Sequence, residues 1–173
     1  CPMFLNEGFP DIPDGWLKPV AEVVRRAGGV LICDEVQSGF GRTGTHFWAH
    51  QKLDAVPDIV TMGKPMANGH PVGAVVTTPE MMATFRNGFR YFNTFGGNPV
   101  AAAAGLAAIN LIEKKRLMTS AKSFEKRLKI KLEAVRGVTE VRGRGLLIGI
   151  GLDGDYAKEL AGLLANRGVL VNA

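Results

Sequence analysis

The chain has 173 residues, 46% of them apolar and 21% charged, enough to bury a sizeable core in one domain or in parts of two. Its longest apolar run, Val100–Ile109, falls well short of the roughly 20 residues that a membrane-spanning helix needs. The net charge of +5 is uneven, because residues 113–144 hold eleven Lys/Arg against four Glu, a local +7 that leaves −2 elsewhere.

A basic stretch of that kind can mark a nucleic-acid footprint. Aromatic residues are almost absent from it, so it lacks a stacking platform. The solvated face of an amphipathic helix is the favoured reading, and neither a nucleic acid nor a membrane is expected as a partner. Two cysteines, Cys1 and Cys33, make no disulfide framework, and no charged-then-apolar leader opens the chain. A reduced, cytoplasmic setting is the expectation. The chain starts with Cys and stops at "GVLVNA" within a strand-like run, as a portion of a longer protein would.

In chain order, apolar Leu17, Val20, Val23 and Val24 recur at helical spacing from Trp16 to Ala27, where Gly28-Gly29 stops the run. "VLIC" reads as a strand buried on both faces in an α/β sheet. A glycine-containing loop reaches Gly44, and a short helix or turn follows at 47–51. Ile59–Met62 and "PVGAVVTT" are two more strands. Pro79 opens a helix to about Asn87, and Pro99 opens an alanine-rich one to about Glu113. A third helix spans roughly 117–135, with Gly137 as its stop. Beyond it, "VTEVRGRG" and "LLIGIGL" form two strands around a glycine turn, then come a helix at 156–167 and a strand, Val169–Val171. This α+β unit is separable near residue 136, which divides the chain into 1–136 and 137–173. No internal repeat is evident.

"ICDEVQSGFGRTG" poses a choice. Its glycines, Gly39, Gly41 and Gly44, fit the G-x-G-x-x-G spacing of a dinucleotide loop. That fingerprint needs its first glycine directly after a strand and a long helix from its third. Here five residues intervene and "THFWAHQK" follows, so the spacing is coincidental. The acid ahead of it is more informative. Asp34 ends "VLIC", and ligands of open α/β sheets collect beyond the carboxyl ends of the strands. A carboxylate there can bind a metal, act as a base, pair with a cationic ring nitrogen, or simply cap a loop.

Lys64 sits just past the next strand, in a Gly63-Lys64-Pro65 turn. A desolvated lysine there would serve as a Schiff-base nucleophile, and a solvated one as an ordinary loop residue. Thr94 and the glycines of "FNTFGGNP" lead into the helix that Pro99 begins, an arrangement suited to an anion or to plain capping. An acid, a lysine and a phosphate-ready loop together are what a pyridoxal phosphate site requires.

"LICDEVQSGFGRTG", "PDIVTMGKPMANGHPVGAVVTT" and "FNTFGGNP" resemble class III (ornithine/4-aminobutyrate type) aminotransferases, in order and spacing, over essentially the whole chain. "GKPMANGHP" is similar to the alanine–glyoxylate aminotransferase 2-like branch, which also contains phospho-lyases of phosphorylated amino compounds. The resemblance implies a fold type I large domain, mostly parallel sheet with flanking helices, over 1–136, and the beginning of a C-terminal small domain over 137–173. It implies that Asp34 pairs with the pyridine nitrogen of pyridoxal 5′-phosphate and that Val36 packs on the ring. Gln37 would hydrogen-bond near the phenolic oxygen, Lys64 would be the Schiff-base lysine and proton shuttle, and Thr94 would bind the phosphate across a homodimer interface. No metal is implied. The expected partners are an amino donor and a 2-oxo acid acceptor.

Glu35 and Arg42 read as a structural ion pair, and His46 and His70 as packing or loop residues. The phosphate cup and the substrate-carboxylate arginine have no counterpart here, and Arg142 and Arg144 are not assigned to the latter role. The 173 residues alone are therefore expected to retain cofactor weakly and to show no substantial activity.

Overall fold

The structure is a computed structural model, and it describes residues 8–10 and 12–173. Cys1 lies outside the described residues. Helix α1, Leu17–Arg26, buries Leu17 and Ala21 and ends before Gly28, whose φ of +77° lets the chain turn at the helix end. Three short strands follow: β1, Ile32–Asp34; β2, Ile59–Met62; and β3, Ala74–Thr77. They form one sheet in the order β1-β2-β3.

The expected parallel pairing holds for β1 and β2, where Ile32, Cys33 and Asp34 face Ile59, Val60 and Thr61. β3 runs antiparallel to β2. The link between them, residues 63–73, contains turns but no helix, whereas a parallel return normally needs a crossover of a dozen or more residues. Between β1 and β2 the chain makes the glycine loop and a short 3-10 helix, Ala49–Leu53.

Helices α2, Pro79–Gly88, and α3, Pro99–Lys114, start as their prolines predict. The hydroxyl of Thr78 accepts the Met81 N–H, and Asn98 Oδ1 accepts the Ala101 N–H at 2.9 Å. Helix α4, Leu117–Glu133, carries five of the eleven basic residues of 113–144 and buries Ala121. Strands β4, Val138–Arg144, and β5, Leu147–Leu152, make an antiparallel hairpin, and α5, Ala157–Ala165, follows.

No strand forms at 169–171, against expectation. Leu170 is 87% exposed, and without a neighbouring strand to accept its backbone the segment stays irregular.

The core lies where α1, β1 and the 49–55 segment meet, and it takes in Leu17, Ala21, Leu31, Cys33, Leu53 and, from β5, Leu147. Arg25 links α1 to the entry of β2 through Asp58, at 2.9 Å, and Asp58 also accepts the Leu31 N–H at 2.7 Å. The hairpin is anchored at both ends of its turn. Leu146 N–H donates to Arg42 O at 2.9 Å, and Gly145 N–H donates to Glu125 of α4 at 2.7 Å. Arg142 donates to Gly8 O and Arg144 to Ile12 O, so both arginines tie the hairpin to the N-terminal segment.

Among the described residues no helix is long and apolar enough to cross a membrane.

Candidate functional site

The glycines of "GFGRTG" are contact points between elements. Gly41 has φ +72°, and a Cβ there would lie 2.5 Å from Met118 Cγ on α4. Gly44 has φ +77°, and its Cβ would lie 2.8 Å from the Lys122 backbone nitrogen. The loop is thus shaped to let α4 approach. Only the short 3-10 helix follows, so no helix N-terminus stands where a dinucleotide phosphate would need one.

Asp34 is the last residue of β1, and Lys64 lies two residues past the end of β2. Since the two strands are parallel, both side chains belong to the same edge of the sheet, beyond its carboxyl ends. Asp34 Oδ1 accepts the Val36 N–H at 2.9 Å, a local turn that fixes the carboxylate on its own segment. Val36 reaches toward the lysine turn: a Cβ on Gly63 would meet its Cγ2 at 3.8 Å. The turn is closed by Met66 N–H donating to Gly63 O at 2.7 Å. Acid, aliphatic side chain and lysine turn thus stand at adjacent strand ends.

Lys64 differs from the sequence-based expectation in one respect. It is exposed, and among the described residues it makes no hydrogen bond or ion pair, so the amine is not desolvated here. Gln37 is half-buried on the segment that carries Asp34. Thr94 stands apart, in the exposed loop before α3, with no hydrogen bond to Asp34 or Lys64. Beside the lysine turn, a cleft of about 320 Å³ runs between Phe40, Arg42, Pro65 and Asn68 on one side and α3 and α4 on the other.

Glu35 does not pair with Arg42. Its carboxylate is fully buried and accepts four hydrogen bonds, from Ser38 Oγ (2.7 Å), Ala49 N–H (3.1 Å), His50 N–H (2.9 Å) and His50 Nδ1 (2.8 Å). Burial by itself would raise the Glu35 pKa, but the His50 side chain, backbone N–H groups and Ser38 outweigh it and hold the carboxyl below its ordinary range. Sequence reading missed His50 because nothing local distinguishes it from the neighbouring histidine His46. Burial is also what lowers Arg42 from its ordinary value. Cys33 is fully buried, and desolvation followed by the Glu35 charge pushes its thiol up to about 11.

An acid and a lysine thus stand at the carboxyl ends of two parallel neighbours in an α/β sheet, the side where ligands of such sheets collect. The comparisons give the family. The family model for aminotransferase class-III matches residues 4–173, and the chain belongs to that family. It is 46% identical over 147 residues to the mitochondrial alanine–glyoxylate aminotransferase 2 of Homo sapiens, covering 83% of this chain and 29% of that protein. To the alanine–glyoxylate aminotransferase 2-like protein of Drosophila melanogaster it is 48% identical over 156 residues. The chain spans about 30% of the length of these curated relatives (29% and 31%).

Among solved structures, an Arthrobacter phospholyase in complex with phosphoethanolamine aligns at TM-score 0.89 and 45% identity, over 98% of this chain and 43% of that one. Ornithine aminotransferase from Toxoplasma gondii, described with partial occupancy of PLP at its active site, aligns at TM-score 0.84 and 30% identity, over 95% of this chain and 40% of that one.

Proposed function

We propose that this chain is the cofactor-holding part of a pyridoxal-phosphate-dependent aminotransferase that moves an amino group from an amino acid or amine to a 2-oxo acid. The observation that carries the reading is the emergence of Asp34 and Lys64 from the carboxyl ends of two parallel strands, with Val36 packed over Gly63 beside them. Those residues suit a flat aromatic cation: a carboxylate for a protonated ring nitrogen, an aliphatic group for a ring face, and an amine for a carbonyl carbon.

When bound, the cofactor supplies an electron sink for the pair released at the substrate Cα. Asp34 would keep the proton on its ring nitrogen, Val36 would pack on the ring and Gln37 would hydrogen-bond near the phenolic oxygen. The Lys64 amine would hold the cofactor and move a proton at the substrate Cα. Thr94 would bind the phosphate across a subunit interface.

That last role goes with a homodimer, and the flank of the molecule bearing Thr94 supports it. Phe92 and Phe95, on either side of Thr94, are 84% and 80% exposed, and Phe89, Tyr91, Val100 and Leu106 extend the apolar surface. In this reading residues 1–136 are part of the cofactor-binding large domain with its connecting helix, and 137–173 begin the small domain. The separate two-stranded sheet of the hairpin supports that division. A cytoplasmic location belongs to the same proposal, with which the free, buried Cys33 is consistent.

The test uses the full-length protein loaded with pyridoxal phosphate. A visible absorption band should appear, and borohydride should fix the cofactor mass on Lys64. Labelling of another residue overturns the reading. A second outcome, elimination of phosphate from a phosphorylated amine, is favoured by one observation, the likeness to the phospholyase structure. Release of free phosphate without transfer of the amino group to an oxo acid would select it.

A further inference from the structure

We propose that Glu35 and His50 form a positioning pair that holds the Asp34–Gln37 segment in place for the cofactor ring, an inference that rests on the reading of Asp34 as the acid opposite the ring nitrogen.

Residues 34 and 35 leave the end of β1 with different destinations. Glu35 N–H donates to Thr61 O at 2.8 Å, which carries the β1–β2 pairing one residue past Asp34. Successive side chains on an extended strand point to opposite sides, so the acid at 34 and the acid at 35 diverge. Asp34 stays half-buried at the sheet edge, while Glu35 enters the interior with no exposed surface. A buried carboxylate is tolerated only when its oxygens are occupied.

Both oxygens of Glu35 are doubly occupied. Oε1 takes the backbone N–H of His50 and its ring Nδ1, and Oε2 takes Ser38 Oγ and the Ala49 N–H. Because an ionised carboxylate can only accept, Nδ1 carries the proton in this contact, which leaves Nε2 as the outer nitrogen of the ring.

The consequence is mechanical. The loop from 35 to 50 has little regular structure before the short 3-10 helix, and Glu35 closes it by binding the first residues of that helix. A further bond, Gly39 N–H to Glu35 O at 3.0 Å, closes the turn 35–39 that contains Val36 and Gln37. Asp34 has its own carboxylate tied to Val36 N–H within the same turn. The three residues assigned to the ring are thus carried by a segment that the buried Glu35 anchors. His50, 12% exposed at the side chain, gives the anchor its only ring N–H among the described residues. Glu35 has no exposed surface and His50 is spent on binding it, so their part is to position.

The experiment uses the full-length holoprotein and reads cofactor retention by dialysis, together with the position of the visible band. His50→Leu should weaken retention about tenfold, the size of one lost charge-assisted hydrogen bond, and shift the band. His50→Asn, which offers an amide N–H near the place of Nδ1, should restore most of both. Ser38→Ala, which removes one donor to Oε2 alone, should give a smaller loss, and it carries the test if His50→Leu fails to fold.

Asp34→Asn is run in parallel. If it perturbs the band while the His50 and Ser38 variants retain wild-type band and retention, the positioning role is overturned and the ring-acid reading stands. If Asp34→Asn itself leaves band and retention unchanged, the ring-acid reading fails, and the positioning role goes with it. Equal losses in His50→Leu and His50→Asn would also overturn the proposal, since a packing role alone does not distinguish the amide from its absence.

Discussion

Asp34 stands opposite Thr61 in the parallel β1–β2 pairing, so Lys64 comes three residues beyond the acid's register partner. A slip of one residue in this pairing would send the acid to the other side of the sheet. The register is held outside the site, by Asp58, which binds Leu31 N–H and Arg25 at the entrance to β2. Chemistry at one end of the strands is therefore set by a bridge at the other.

Replacing Lys64 should abolish covalent retention of the cofactor. Lys64→Ala in the full-length protein is expected to lower kcat by about 10²–10⁴-fold, the range for removal of a proton-transferring side chain. Stopped-flow absorbance and turnover with an amino donor check it. Full turnover in the variant would sink the assignment.

Gly41→Ala and Gly44→Ala should destabilise the protein by about 1–3 kcal/mol each, since both combine positive φ with a collision on α4. Gly44→Ala should cost more, because its Cβ meets backbone at Lys122 whereas Met118 can swing aside. Urea denaturation gives the two values. Wild-type stability in both variants would contradict the packing account of the loop, and retention of NADH by the wild type would revive the dinucleotide account.

Acid stability should depend on Glu35. Its folded pKa lies below the ordinary 4.5, so the stability it contributes is complete above about that pH and is lost as pH falls through the lower folded value. Melting temperatures of wild type and Glu35→Gln, followed from pH 7 to pH 3, should converge as the pH drops. Asp58, also held low once Leu31 N–H and Arg25 overcome its burial, leaves some acid dependence in both proteins. Parallel curves at a constant separation would rule out a titrating role for Glu35.

Cys33 should be inert to alkylation in the folded protein. Full burial denies access, and a thiol pushed up to about 11 holds almost no thiolate at pH 8. Mass mapping after iodoacetamide treatment should show Cys33 modified only once denaturant is added. Rapid labelling under native conditions would mean that β1 opens readily.

Much of the element order was legible in the residues. Pro79 and Pro99 mark helix starts because a proline at the first helical position forfeits no hydrogen bond, and Thr78 and Asn98 cap those helices through side chains a few atoms away. "IVTM" read as a strand from composition alone, whereas "VLIC" only overlaps β1, and Val30 and Ile32 are exposed where burial on both faces was expected. The segment at 169–171 misled for the same reason: its apolar run has strand propensity, but propensity without a pairing edge forms no strand.

The sequence by itself determined which chemistry-bearing residues exist and which short elements carry them, because caps, prolines and apolar periodicity act over a few residues. Tertiary structure alone decided that Glu35 binds His50 instead of Arg42 and that Gly41 and Gly44 receive α4. Those outcomes join residues 14 or more apart along the chain through irregular loops. No local pattern encodes such a partner, since the choice among competing donors and acceptors is made only when packing excludes water from one of them.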